Sequence, residues 1–395
     1  MIQAALRQAE RLARIDATRA LLRFVNGVEW LMRDPTSVVG RTPYDVVHRH
    51  GKLEVRRYHL GHVKPSHDVP ILLVPALMVK PFIYDVLPGR SLVAFLVERG
   101  FRVYVVDFGE PDEADQFVRL DHYVLDWMPE ACEAVRRHTS VRALSLFGYC
   151  MGGIFCLTHT AANEDHDVRN IVCLGVPVDM SKMGLLAWVS KLAGGQVESI
   201  ARRIGNVPGG LSSTAFKLLT PAKNFTRYAD LFFNLWNEEF VNSFDAMNQW
   251  VSQFIDYPRD AFIQFNREFL QRNKLARGQL TFRGKVADLR RIEANLLVFA
   301  GKTDQIAPPP SVRALLDKVS SPDKTFVLVR GGHMGILAGT HAPKEVWEPM
   351  ANWLAARSRI ARTQGKQTVA PARTPRRAAQ AGRRAATRQV AAGGR

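Results

Sequence analysis

The 395-residue sequence predicts an α/β fold built on a mostly parallel sheet. Short apolar runs of four to six residues alternate with helical patterns, which is typical of parallel strands that are buried on both faces. The alternation stops between Met180 and Lys285 and then resumes for two further strands. We therefore predict a core in two parts, separated by a helical insertion.

The chain before the insertion comprises an extension and the first part of the core. Residues 1–33 carry Leu and Ile at helical spacing, so we assign 1–40 to an N-terminal helical extension. The first part of the core spans 41–179 and begins with a hairpin that includes Lys52–Leu60. The predicted core strands that follow are Ile71–Val74, Val103–Asp107, Ala143–Phe147 and Ile171–Leu174.

The insertion, residues 180–285, is rich in Trp, Phe and Met at helical spacing and predicts a cap or lid over the core. The second part of the core spans 286–357 and contains the predicted strands Leu296–Ala300 and Thr325–Val329. Aromatic side chains of the cap are candidates for excluding water from a site below them. They are Trp188, Phe225, Phe232, Phe233, Trp236, Trp250, Phe254, Phe262 and Phe265.

The positive charge is concentrated at the C-terminus. The formal net charge is +17, but eleven cations and no acid follow Leu354, so the part before them carries only +6. Residues 358–395 are dominated by Ala, Arg, Gly, Gln, Thr and Pro. Such a segment cannot bury enough apolar surface to offset its ordering entropy. We predict a disordered basic tail.

The cysteines and the apolar runs indicate a cytoplasmic protein. Cys132, Cys150, Cys156 and Cys173 lack zinc-type spacing, and we expect all four to be thiols. We recognise neither a secretory signal nor an apolar run of the kind that spans a membrane.

A nucleophile elbow follows the third predicted core strand. The strand ALSLF runs into Gly148-Tyr149-Cys150-Met151-Gly152-Gly153 and then into a helical segment. A G-x-nucleophile-x-G turn between strand and helix is the hallmark of the α/β-hydrolase fold. The helix that starts there directs its amides and positive dipole end at the nucleophile, which favours a thiolate. We predict Cys150 as the nucleophile and the Met151 amide as one oxyanion donor.

The other members of the site are expected on later strands, in the order nucleophile, acid, histidine. Asp304 follows the strand Leu296–Ala300, and His333 follows the next strand after two glycines. We predict that His333 deprotonates Cys150. The second oxyanion donor is expected in the loop after the first core strand, at the backbone of Ala76 or Leu77.

The residues around this elbow resemble those of the polyhydroxyalkanoate synthases, which have a G-x-C-x-G-G box. Other segments agree, among them PILLVPALMVKPFIYDVLPGRSLV (70–93), GNVPGGL (205–211) and GGHMGI (331–336). The resemblance spans roughly residues 40–357 and is closest to the short synthases that work with a second subunit. The basic tail is not part of the family pattern.

The resemblance implies a cytoplasmic acyltransferase at the surface of a polyester storage granule. Cys150 would accept an (R)-3-hydroxyacyl group from CoA, His333 would activate the thiol, and Asp304 would help to activate the substrate's 3-hydroxyl. It implies no metal and no prosthetic group. A second synthase subunit and a homo-oligomer are the expected protein partners.

Two alternatives share these sequence features. The fold and the three residues do not define the acyl acceptor, so a cysteine thioesterase or esterase is one alternative. The other is an inactive scaffold whose tail binds DNA. For the tail itself we keep two hypotheses. It binds an acidic partner, either nucleic acid or anionic lipid, or it is a solvated extension without a function of its own.

Overall fold

The computed structural model describes residues 16, 18–28, 40–87, 89–218 and 221–359. Its main sheet has eight strands, which we number in chain order. They are β1 (Tyr44–His50), β2 (Leu53–Tyr58), β3 (Ile71–Val74), β4 (Val103–Asp107), β5 (Leu144–Tyr149), β6 (Val168–Leu174), β7 (Asn295–Gly301) and β8 (Lys324–Val329). There are also two small two-stranded sheets. One pairs Asp85–Leu87 with Arg90–Ser91, and the other pairs Thr281–Phe282 with Lys285–Val286.

The order of strands in the sheet is β1-β2-β4-β3-β5-β6-β7-β8. β1 and β2 form the predicted hairpin, and β2 pairs antiparallel with β4. All pairs from β4 through β3 to β8 are parallel, which confirms the predicted mostly parallel sheet. β3 is buried along its whole length, as expected for a strand that is covered on both faces. β5 sits near the centre of the sheet.

Helices cover the sheet and connect its strands. The core helices before the insertion are α1 (Leu92–Glu98), α2 (Met128–Thr139) and α3 (Met151–Ala162). The insertion contains α4 (Leu185–Ile204), α5 (Gly209–Leu218), α6 (Pro221–Asn234), α7 (Glu238–Ser252) and α8 (Arg259–Gln264). The core is completed by α9 (Pro309–Arg313) and α10 (Glu348–Arg357).

Shorter helical segments join these elements. They are Pro81–Tyr84, Glu113–Phe117, Leu120–His122, Tyr123–Trp127, Met180–Lys182, Phe265–Gln271, Lys274–Arg277, Leu289–Arg291, Ala314–Asp317, Gly335–Ala338 and Pro343–Trp347. None of the helices in the described part of the chain combines the length and the apolar character needed to cross a bilayer.

The two predicted extensions lie largely outside the described residues. Of the N-terminal helix, residues 18–28 are described and are helical, and Asn26 donates to the Leu235 carbonyl (2.6 Å). Of the predicted tail, only Ser358 and Arg359 are described. Ser358 is 2% exposed, and its hydroxyl accepts a hydrogen bond from the Val69 amide (3.1 Å). The folded body therefore extends one residue further than the predicted boundary, through Ser358.

Candidate active site

The elbow at Cys150 has the backbone geometry that the motif predicts. β5 ends at Tyr149, α3 begins at Met151, and Cys150 between them has φ 53° and ψ −124°. A positive φ is uncommon for a residue with a side chain, and such strained positions cluster at functional sites. The Cys150 amide donates to the Leu174 carbonyl (3.0 Å) at the end of the neighbouring β6, which fixes the turn to the sheet.

The glycines of the elbow are required by close contacts. A Cβ atom on Gly148 would lie 2.2 Å from Cα of Gly153, and one on Gly152 would lie 1.9 Å from the Val74 carbonyl oxygen. A Cβ on Gly153 would lie 2.1 Å from Cγ2 of Val176. These contacts confirm that the turn leaves no room for side chains at the flanking positions.

Asp304 and His333 are brought together at the ends of neighbouring strands. Asp304 follows β7 and His333 follows β8, and Nδ1 of His333 lies 2.7 Å from Oδ2 of Asp304. The other carboxylate oxygen, Oδ1, accepts hydrogen bonds from the amides of Ile306 (2.9 Å) and Ala307 (2.8 Å). Both side chains are almost fully buried. The carboxylate is therefore held rigidly and orients the imidazole.

The second ring nitrogen of His333, Nε2, is the one that faces Cys150 at the elbow. Nε2 of His333 is buried and has no hydrogen-bond partner among the described residues. Burial alone would lower the pKa of His333, but negative charge at Cys150 and Asp304 outweighs it and raises this pKa to about 10. An interaction with the Cys150 side chain is among the causes of this shift, so His333 is placed to take the proton of the Cys150 thiol.

The predicted oxyanion residues lie at the expected elements. Met151 is the first residue of α3, so its amide belongs to the helix N-terminus. Ala76 and Leu77 are buried in the loop after β3. The start of this loop contacts the elbow, since a Cβ on Gly152 would lie 2.8 Å from the Pro75 carbonyl oxygen as well as against Val74.

One segment of the cap reaches both sides of the elbow. The Ile255 amide donates to the Met78 carbonyl (3.1 Å) in the loop after β3. Tyr257 is 2% exposed, and its hydroxyl donates to Sδ of Met151 (3.4 Å). Tyr257 could not be predicted from the sequence, because IDYPRD has no motif and contributes one aromatic residue among many.

The cap aromatics named above differ in how far they are buried. Trp250 and Phe254 are buried and pack edge to face at 5.2 Å, whereas Phe232 and Phe233 are 62% and 61% exposed. The latter two point into solvent from α6 and cannot shield the elbow. The side chains of Trp188 and Phe225 lie outside the described part.

The remaining cysteines differ from Cys150. Cys132, Cys156 and Cys173 are completely buried, whereas Cys150 is partly exposed. Burial raises the pKa of Cys156 and of Cys173 far above the usual thiol value, so these two thiols are unreactive.

Cys132 belongs to a polar cluster whose groups are satisfied by the protein. Its sulfur, Nε2 of His159 and an oxygen of Asp165 lie within 4.8 Å of one another. However, Arg136 donates to both oxygens of Asp165 (2.6 and 2.9 Å). The side-chain amide nitrogen of Asn163 donates to the Val124 carbonyl (3.0 Å) and lies 3.1 Å from Nδ1 of His159. Nε2 of His159 also lies 3.2 Å from Oδ2 of Asp165, so the polar groups of this cluster have partners within the protein.

The strand order and the elbow define the class of protein, and comparison with known proteins agrees. The family model of the alpha/beta hydrolase fold matches residues 70–340. A soluble variant of monoglyceride lipase from Saccharomyces cerevisiae superimposes with a TM-score of 0.51 at 14% identity, over 83% of this chain and 99% of the lipase. At this identity the likeness to the lipase concerns the fold alone.

Comparison with curated proteins identifies the family within that class. The chain is 35% identical to the poly(3-hydroxyalkanoate) polymerase subunit PhaC of Haloferax mediterranei, over 81% of this chain and 65% of that protein. It is 32% identical to the subunit of the same name from Allochromatium vinosum, over 83% of this chain and 92% of that protein. The chain belongs to the poly(3-hydroxyalkanoate) polymerase family.

Proposed function

We propose that this chain is the catalytic subunit of a poly(3-hydroxyalkanoate) polymerase. It transfers (R)-3-hydroxyacyl groups from CoA thioesters, through an acyl-enzyme at Cys150, to a growing polyester chain. The observation that carries this proposal is a strained, partly exposed Cys150 beside the buried His333–Asp304 pair. The family to which the chain belongs supports the choice of substrate.

Acylation begins with the thiol proton on His333. Sγ of Cys150 attacks the thioester carbonyl carbon, and the carbonyl oxygen becomes an oxyanion that the Met151 amide and the Ala76 or Leu77 amide stabilise. The bond to the CoA sulfur then breaks, and His333 returns its proton to that sulfur as CoA leaves. No metal and no prosthetic group takes part in this scheme.

Transfer to the polymer repeats these steps with a hydroxyl group as the nucleophile. A 3-hydroxyl attacks the acyl-Cys150 carbonyl, His333 takes the hydroxyl proton, and the Cys150 sulfur leaves. Both carboxylate oxygens of Asp304 are already engaged in hydrogen bonds, Oδ2 with His333 and Oδ1 with the amides of Ile306 and Ala307. These contacts support a role for Asp304 in activating the hydroxyl through His333, as a positioning residue.

A cysteine suits this chemistry better than a serine would. Acyl transfer from CoA to Cys150 exchanges one thioester for another, so the acyl group remains activated for attack by a hydroxyl. A serine would form an oxoester at the first step and lose that activation. The buried Trp250 and Phe254 of the cap limit the access of water, which favours transfer over hydrolysis.

The proposal extends to the setting of the enzyme. The relatives are named as subunits, which supports assembly with a second synthase subunit, whereas association with further copies of this chain rests on the family resemblance alone. A cytoplasmic location at the surface of the polyester granule follows from the product. The basic tail supplies a contact to nucleic acid or to anionic granule lipid.

Product analysis with 3-hydroxybutyryl-CoA tests the proposal. A polymerase releases CoA and forms insoluble polyester, whereas a cysteine hydrolase releases CoA and free 3-hydroxybutyrate. Cys150→Ala should abolish both products, and Cys156→Ala should retain polymer formation as the matched control. Free acid without polymer would favour the hydrolase. Absence of CoA release from the wild-type chain, together with its partner subunit, would contradict any acyl transfer.

A further inference from the structure

Tyr257 stands out as a buried phenol with a weak partner. Its side chain is 2% exposed, and among the described residues its hydroxyl has one hydrogen-bond partner, the thioether sulfur of Met151. A thioether is a poor acceptor, whereas buried tyrosine hydroxyls usually find a strong one. The hydroxyl therefore has capacity to donate to a better acceptor.

The backbone around Tyr257 is held more firmly than a cap loop requires. The Tyr257 amide and carbonyl exchange two hydrogen bonds with Val207 (2.9 Å each), and the ring packs edge to face on Phe262 (5.6 Å). On the N-terminal side, the bond of Ile255 to Met78 ties the segment to the core. The hydroxyl is thus fixed in position rather than free to move to solvent.

This position adjoins the nucleophile. Met151 directly follows Cys150, and the Tyr257 hydroxyl lies 3.4 Å from Sδ of the Met151 side chain. Burial raises the pKa of Tyr257 well above its usual range, with smaller contributions from Tyr123 and Cys150. Tyr257 is therefore a neutral donor near pH 7.

We propose that the Tyr257 hydroxyl donates a hydrogen bond to the oxygen on C3 of the acyl group that Cys150 carries. The carbonyl oxygen on C1 accepts hydrogen bonds from the backbone amides at the elbow, whereas C3 lies two carbons further along the acyl chain. A donor that contacts the sulfur of the Met151 side chain, and not its amide, suits this second oxygen. A buried tyrosine in this place rejects acyl groups that lack the oxygen, because the donor is then left unpaired.

This inference rests on the proposed function and predicts a specific change in selectivity. In single turnovers with the full-length enzyme, 3-hydroxybutyryl-CoA and butyryl-CoA are compared by the rate of CoA release. Tyr257→Phe should slow acylation by 3-hydroxybutyryl-CoA by about tenfold and leave butyryl-CoA nearly unaffected. The ratio of the two rates should therefore fall by about tenfold.

Tyr104→Phe is the matched control. Tyr104 is also a buried phenol, but it lies on β4, and its hydroxyl is hydrogen-bonded to Nδ1 of His138 (2.8 Å). Its replacement should therefore not change the ratio of the two acylation rates. Equal slowing with both substrates would show that Tyr257 acts on the carbonyl, and an unchanged ratio without slowing would show no contact with the acyl group. Either result overturns the inference while acylation of Cys150, and with it the proposed function, stands. Absence of CoA release by the wild type would overturn both.

Discussion

Replacing Gly152 by alanine tests whether the packing of the elbow sets both the stability and the reactivity of the site. The added Cβ would lie 1.9 Å from the Val74 carbonyl oxygen, 2.7 Å from its carbonyl carbon and 2.8 Å from the Pro75 carbonyl oxygen. All three atoms belong to the backbone. They cannot turn aside as the end of a flexible side chain would.

The size of the effect follows from these distances. Relief of the closest contact requires a shift of about 1 Å between the start of α3 and the end of β3, because Cβ contacts below 3.0 Å essentially do not occur. Overpacking of a well-packed core costs about 1–3 kcal/mol. A contact between two pieces of backbone in the centre of the sheet belongs at the upper end, so we expect a loss of about 3 kcal/mol in the free energy of unfolding.

The same shift moves the nucleophile. Cys150 and the Met151 amide lie in the turn that must move, and a misplacement of about 1 Å can lower the rate of a positioned reaction by about a hundredfold. Gly195→Ala is the control, since Gly195 lies within α4 and a Cβ there meets nothing within 4 Å. Alanine should stabilise this exposed helix by about 0.5–1 kcal/mol.

Urea denaturation and CoA release from 3-hydroxybutyryl-CoA provide the two measurements. Gly152→Ala should lose stability and activity together, whereas Gly195→Ala should retain both. A Gly152→Ala enzyme with wild-type stability and wild-type CoA release would show that the close contact does not constrain the elbow. Equal losses in the two variants would point to a general effect of alanine.

Three further predictions concern the site and the tail. Cys150→Ala should abolish covalent labelling by radioactive substrate, whereas Cys132→Ala, Cys156→Ala and Cys173→Ala should still be labelled; labelling of Cys150→Ala would contradict the assignment of the nucleophile. His333→Gln and Asp304→Asn should both slow acylation in single turnovers, by about a thousandfold or more, because Asp304 acts through the imidazole; an Asp304→Asn enzyme that acylates normally and accumulates acyl-enzyme would show that Asp304 acts on the hydroxyl instead. Deletion of residues 360–395 should leave CoA release unchanged and remove DNA binding that weakens steeply with salt; a mobility shift that is equal for the full-length and truncated chains would rule out the tail as a tether.

Local sequence was enough to predict the core and the elbow. Ile71–Val74 and Val103–Asp107 are strands with the predicted bounds. A short apolar run between turns can be buried on both faces as a strand of a parallel sheet. The predicted third strand ended at Phe147, but β5 continues to Tyr149. Gly148 and Tyr149 pair with Cys173 and Leu174 of β6, so the neighbouring strand extends β5 into the glycine-containing turn.

Contacts between residues that are far apart in sequence could not be predicted from local sequence patterns. The antiparallel pairing of β2 with β4 joins residues that are far apart in sequence, and no local pattern encodes its direction. The contact of Tyr257 with Met151 is of the same kind. The pairing of Asp304 with His333 was accessible only because the order of the motif places both at the same edge of the sheet.

The contacts of the cap hold the segment around Tyr257 beside the elbow. The cap is tied to the core at separate points, by Ile255 on Met78, by Tyr257 on Met151 and by Asn206 on the Asp112 carbonyl (2.6 Å). Opening this end of the cap would break all these bonds and would remove Tyr257 from the acyl group. The hydrogen bonds of Ile255 and Tyr257 therefore oppose a movement of this segment away from the elbow.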